Sequence, residues 1–187
     1  ETLDSDIGAA IDAFQQRCPG VRRVVLWGLC DGASASLLYV GRRDDARVCG
    51  LALLNPWVRT PQGLARTHAR HYYGRRILEP SFWRKLMSGG VGLGAAGEWL
   101  RNQLLARRPG STVPVHNHSF TTRMASAWQS FEGPLLLLLS GDDFVAKEFL
   151  DLNAIAPEWQ GNLSHPHLTR LDLPTANHTF SDPADKA

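Results

Sequence analysis

Residues 24–36, VVLWGLCDGASAS, decide how this chain is read. A short apolar run, VVLW, has the character of a buried strand, and the Ala-, Ser- and Leu-rich run from residue 33 onward suits a helix. A strand that turns sharply into a helix can hold a nucleophile at its tip in a strained backbone conformation. Such a turn calls for small residues two positions before and two positions after the tip, where side chains would collide with neighbouring backbone. Cys30, Asp31 and Ser34 are the candidates. With Asp31 at the tip, the earlier flank is Leu29, which is too large. With Ser34 at the tip, Gly32 and Ser36 are acceptable flanks, yet Ser34 falls one turn into the helix. With Cys30 at the tip, both flanks are glycine (Gly28 and Gly32) and the strand ends where it should. Cys30 is the residue expected to carry chemistry.

The residue type suits the place. A thiol at a helix N-terminus meets exposed N–H groups and the positive end of the helix dipole, which favour the thiolate, while Asp31 beside it acts in the opposite sense. The backbone N–H of Asp31, next after the nucleophile, is a natural oxyanion-hole donor. The plainer alternative is a small buried apolar cysteine at an ordinary strand–helix junction, as Cys49 is expected to be within VCGLALL. A cysteine nucleophile therefore needs partners: a base, and a group that orients the base.

Further buried runs follow: RVCGLALLNPWV, GPLLLLLSGDD and the less cleanly alternating HLTRLDLPTANH. Helix-prone segments separate the first run from the second and the third from the fourth, which predicts a parallel sheet with crossover helices. On such a sheet the partners come from strand C-termini in the chain order nucleophile, acid, histidine. GPLLLLLSGDD delivers Asp142 and Asp143 directly after an apolar strand, and HLTRLDLPTANH delivers His178 after the last. The residues alone leave the choice between the two aspartates open.

Composition bounds the rest. The chain has 187 residues, 43% of them hydrophobic, which suits a domain with a real core. Cys18, Cys30 and Cys49 form no even-numbered framework and no C-x-x-C pair, pointing to free thiols in a reducing, cytoplasmic setting. No apolar run is long enough to span a bilayer. The opening segment reads as an amphipathic helix capped at Asp4, Ser5 or Asp6, with Ile7, Ala10, Ile11 and Phe14 on one face. Between residues 56 and 113, nine arginines and one lysine face only Glu79 and Glu98, a net of +8, against −6 for the remainder. That asymmetry predicts a basic helical insertion, facing something anionic or simply solvated. The glycine-dense GGVGLGAAG within it lacks a phosphate-binding register and reads as a connection. The pairs His68/His71, His116/His118 and His165/His167 lack a third ligand at metal spacing, so surface loops are expected, with no metal and no cofactor. Most of the six tryptophans are expected in packing, though Trp57, just after the second strand, is placed to line a substrate pocket.

On the stretches WGLCDGASA, LLNPWVRT, HYYGRRILEPSFWRKLMSG, LLLLSGDDFVAKEF and the late HTFS, the chain resembles the α/β-hydrolase superfamily, and more narrowly the exosortase A system-associated hydrolase 1 group of bacteria. Its G-x-C-x-G is also similar to that of dienelactone hydrolases. The resemblance implies that Asp143 rather than Asp142 is the orienting acid, that His178 is the base and that Cys30 sits at the elbow. It also implies a helical cap between the second and third strands seen here, and a setting among exopolysaccharide export and protein-sorting genes. A whole α/β-hydrolase has about four more strands before the elbow, and a loop among them supplies a second oxyanion donor, worth about 2.7–4 kcal/mol in known cases.

The resulting expectation is the C-terminal part of an α/β-hydrolase sheet with crossover helices and a cap, its earlier strands missing. Residues 1–56 would carry the elbow, 57–130 the basic helical cap, and 131–187 the acid and histidine loops. The expected function is hydrolysis of an ester or thioester through Cys30, Asp143 and His178, with an acyl-thioester intermediate. Its substrate would be a small acyl compound, anionic or glycan-linked, and no nucleic acid is expected as partner. The rival is a non-catalytic α/β-hydrolase-like binding module in which Cys30 is inert. Because VVLWG reads as buried on both faces, a missing neighbour would leave an unpaired edge and drive self-association.

Overall fold

The structure, a computed structural model, describes residues 2–58 and 120–181. Helix α1 spans Thr2–Arg17, strand β1 Val24–Leu29, helix α2 Asp31–Arg42 and strand β2 Val48–Leu54. After residue 119 come α3 (Phe120–Ser130), β3 (Leu135–Ser140), α4 (Phe144–Ile155), two single turns of 3-10 helix and β4 (Leu168–Leu173). The four strands form one sheet in the order β1-β2-β3-β4, and every pair is parallel. All four strand C-termini therefore open at the same end, where a site on such a sheet is assembled.

Burial marks the face that is packed most fully, since β3 is leucine at every position but its last. Leu51 and Leu53 of β2 and Leu135, Leu137 and Leu139 of β3 alternate onto one face. There they meet Leu37 of α2, Met124 and Trp128 of α3 and Phe149 of α4 in a single cluster. Trp128, Phe149 and Trp159 pack as an aromatic trio, with Phe149 and Trp159 edge to face at 5.4 Å. Strand β4 closes one side of the sheet. Its residues 169–172 are exposed and Arg170 pairs with Asp172, which accounts for the weaker alternation there.

Helix α1 begins at Thr2, ahead of the three expected caps, and Asp4 lies in its first turn, where it pairs with Arg42 of α2. A second tie holds α1 to the turn before β2. Arg47 grips both carboxylate oxygens of Asp45 at 2.8 Å and reaches Asp12 and Gln15 of α1, while the Tyr39 hydroxyl donates to Asp45 at 2.6 Å. The Arg47 hydrogen bonds hold the Asp45 carboxyl well below the usual carboxylate range. Burial, then the neighbouring Asp45 carboxylate, raise the Tyr39 phenol above its ordinary value.

Two expectations change. Among the described residues β1 is the outer strand, the edge position expected of VVLWG, but its side chains are not buried on both faces: Val25 and Trp27 are 58% and 67% exposed. The alternation is hidden in the sequence because both faces of β1 are apolar, but α2 covers only one of them. The second change concerns the expected cap. Most of it, from 59 to 119, lies outside the described residues. Its last part, Phe120–Ser130, is a core helix packed on α2, with Met124, Ala125 and Trp128 buried, so that segment belongs with the α/β layer.

Candidate active site

Strand β1 runs into α2 through one residue, Cys30, whose backbone sits at φ 59°, ψ −116° as the N-cap of the helix. A residue with a side chain seldom adopts that conformation. The local bonds enforce it. The Cys30 N–H donates to Leu54 O at 2.9 Å, and the Cys30 carbonyl accepts from Trp57 N–H at 3.1 Å and Ser34 N–H at 3.3 Å. The flanking glycines divide the work unequally. A Cβ at Gly28 would lie 2.4 Å from the Gly32 carbonyl carbon and oxygen and 2.5 Å from Ala33 N, whereas a Cβ at Gly32 meets nothing within 4 Å. The two-sided steric requirement expected from sequence is therefore one-sided: Gly32 supplies backbone that crowds Gly28, and its own side is open.

The competing frames resolve on the same geometry. Ser34 lies inside α2, buried, with its hydroxyl donating to Trp57 O at 2.6 Å and Cys30 O at 3.3 Å. Asp31 is the first residue of α2 and exposed, its carboxylate accepting from Gly32 N–H at 3.0 Å. Its own N–H belongs to the first turn, whose donors have no partner within a helix. Trp57 is half-buried beside the elbow and its ring stacks on Phe120, centroids 5.3 Å apart.

At the end of β3, Gly141 turns the chain, and a Cβ there would lie 2.1 Å from Pro174 O, so only glycine fits. Asp143 then caps α4. Its Oδ1 accepts from Val145 N–H and its Oδ2 from Ala146 N–H, each at 3.2 Å. The same Oδ2 lies 3.0 Å from His178 Nδ1. Asp143 is 7% exposed, whereas Asp142 is exposed and contributes its backbone N–H to Ala176 O. Of the two aspartates, the one that meets His178 is Asp143. An ionised carboxylate only accepts, so in this contact Nδ1 is the donor, and in the neutral imidazole Nε2 then keeps its lone pair.

Asn55 and Ser140 also belong to this end of the sheet, and nothing in their local sequence marks them as part of the site. Asn55, wholly buried and at φ 43°, directly follows β2 and exchanges two bonds with Ser140: Ser140 N–H to Oδ1 at 2.9 Å and Nδ2 to Ser140 Oγ at 2.7 Å. Nδ2 also donates to His178 O at 3.1 Å, and Ser140 Oγ donates to Asn177 O at 2.8 Å. The available signal was the Asn-Pro dipeptide closing an apolar run, a turn mark that says nothing of these partners. His165 and His167 face each other with ring centroids 5.7 Å apart, and among the described residues no group of three His, Cys, Asp or Glu side chains is placed to hold a metal. His68, His71, His116 and His118 lie outside the described residues. No helix among the described residues is long and apolar enough to cross a membrane.

No family model matches the chain, and no curated protein matches it. Solved structures do. An esterase of Pyrococcus furiosus is similar at TM-score 0.48 and 16% identity over 96% of this chain. A monoacylglycerol lipase of Paleococcus ferrophilus is similar at TM-score 0.47 and 16% identity over 96% of this chain and 69% of its own. An esterase from a Rhodococcus species reaches TM-score 0.47 and 16% identity over 97% of this chain and 67% of its own. The chain spans 55% of the length of the Pyrococcus furiosus esterase. On its own topology, the molecule has an α/β-hydrolase fold from the elbow strand onward: parallel strands, a strained strand–helix turn after β1, an acid after β3 and a histidine after β4.

Proposed function

We propose that the chain is the catalytic part of a hydrolase acting on an ester or thioester, with Cys30 as nucleophile, His178 as base and Asp143 as the acid that orients it. The observation that carries this reading is the Cys30 backbone, held at φ 59° where the sheet meets α2. Strain of that kind costs on the order of 1–3 kcal/mol and persists where surroundings over-determine it, as at active sites. The His178–Asp143 contact supports the same reading by supplying an imidazole of defined tautomer.

In the proposed reaction His178 Nε2 takes the thiol proton as Cys30 Sγ forms a bond to the acyl carbon. The carbonyl oxygen becomes an oxyanion, received by the Asp31 N–H. Collapse breaks the bond to the leaving alcohol or thiol, which departs with the proton from His178. Water, giving a proton to Nε2, then attacks the acyl-thioester, and carboxylic acid and free Cys30 result. Trp57, beside the elbow, lines the acyl pocket. The basic segment between 56 and 113 supports an anionic or glycan-linked substrate, and the resemblance to exosortase A system-associated hydrolases supports a bacterial exopolysaccharide setting. The three free cysteines support a cytoplasmic location.

Alkylation by iodoacetamide with peptide mapping tests the reading. Cys30 is expected to label faster than Cys18 and Cys49 at neutral pH, although Cys18 is the most exposed of the three, and to lose that advantage in His178→Ala. Labelling ranked by exposure alone, unchanged in His178→Ala, marks Cys30 as inert and the protein as a binding module.

A further inference from the structure

We propose that Asn55 is a positioning residue, and that Asn55, Pro56 and Trp57 form a strut that sets the spacing between the elbow and the histidine loop. This rests on the roles given above to Cys30 and His178. The strut touches both. At one end the Asn55 amide donates to the His178 carbonyl at 3.1 Å; at the other the Trp57 N–H donates to the Cys30 carbonyl at 3.1 Å. The two residues are separated by Pro56 alone, so no more than about 7 Å of chain lies between the anchors, at ~3.3–3.6 Å per residue. Proline fixes its own φ, which stiffens the link.

The choice of residue at 55 follows from two separate demands. The backbone lies at φ 43°, a region that glycine, asparagine and aspartate tolerate best. The side chain must also offer one acceptor and two donors at a site with no exposure: Oδ1 takes the Ser140 N–H, and the two Nδ2 hydrogens go to Ser140 Oγ and His178 O. Only asparagine meets both demands. Ser140 extends the grip by donating its hydroxyl to Asn177 O, so the backbone on both sides of the His178 side chain is fastened to the ends of β2 and β3. Asp143, three residues beyond Ser140, then meets an imidazole whose height above the sheet is already fixed. A buried polar network satisfied to this degree is rigid, and costly to break.

The test uses three variants: Asn55→Asp, Asn55→Gly and Ser140→Ala. Aspartate keeps the shape but presents an acceptor where two donors are needed; glycine keeps the backbone conformation and removes the amide; Ser140→Ala cuts the link to Asn177 and removes one of the two acceptors of Asn55 Nδ2, leaving the bond to His178 O. Each folded variant is read by the nitrogen-15 signals of the His178 imidazole and by the pH profile of Cys30 alkylation with iodoacetamide. In the wild type one tautomer, protonated at Nδ1, is expected. In the Asn55 variants the tautomers should mix and Cys30 alkylation at neutral pH should fall by ~10- to ~100-fold, the scale of a misplacement of about 1 Å, with Ser140→Ala between. A purely structural role would lower the melting temperature and leave both the tautomer and the pH profile as in the wild type, which overturns the proposal. If the Asn55 variants do not fold, Ser140→Ala decides on the same two readouts. Wild-type Cys30 alkylation that ignores His178→Ala defeats the hydrolase reading separately, and the imidazole signals still judge the strut.

Discussion

Cys30 is held where a side chain is rarely found, and its neighbours show how. Gly28 is the residue without which the turn cannot close, since its missing Cβ is the space that the Gly32 carbonyl and Ala33 N occupy. Backbone cannot yield as a flexible side chain does, so Gly28→Ala is expected to cost about 1–3 kcal/mol, the range for overpacking, and to slow Cys30 alkylation by moving the tip. Gly32 looks similar in sequence and differs in space. It sits in the first turn of α2 with open volume where a Cβ would go. Gly32→Ala should therefore be neutral or stabilising by up to about 1 kcal/mol, because alanine narrows the unfolded ensemble. Urea midpoints of the two variants check this, and equal destabilisation would contradict the one-sided crowding. The motif G-x-C-x-G was legible in sequence as a pair of small flanks; which flank bears the contact was not, because that depends on the path of α2 after the turn.

Strand β1 shows how far a pattern of apolar residues can be read as an element. VVLW announces a buried strand, and β1 forms where it was expected, paired with β2 from Val24 to Leu29. Its surroundings were not in the pattern. Val24 and Cys30 direct their N–H groups to β2, so by alternation Val25, Trp27 and Leu29 turn theirs to the outer side. The exposed side chains of Val25 and Trp27 accompany that outer edge. An apolar strand with open backbone groups is a template for another strand. The 187-residue chain is accordingly expected to self-associate in sedimentation velocity, its mean sedimentation coefficient rising with concentration. Trp27→Lys, which places a charge at the edge, should shift it toward monomer. A sedimentation coefficient independent of concentration would mean that the edge is closed, and strong amide protection at Val25 and Trp27 would show the same.

Across the whole molecule, the loops carrying Cys30, Asp143 and His178 could be placed together from the chain because a parallel sheet brings successive strand C-termini to one end. Asp143 could not be separated from Asp142 by the residues themselves. The distinction comes from α4, which takes Asp143 as its N-cap and so turns one oxygen toward His178. Asn55 and Ser140 were invisible for a different reason: their partners lie 85 and 123 positions away from Asn55, and no local spacing encodes such contacts. Elements with a repeating apolar signal were legible, and the polar contacts that align one loop with another were not. On the proposed reading, these loops make Cys30 a nucleophile that accepts an acyl group. Incubation with 4-nitrophenyl acetate, an acid quench and peptide mapping by mass spectrometry measures that directly. The expected product is an acetyl thioester on Cys30, absent from Cys18 and Cys49 and lost in His178→Ala. Acetylation spread evenly over the three cysteines, or indifferent to His178, would contradict it.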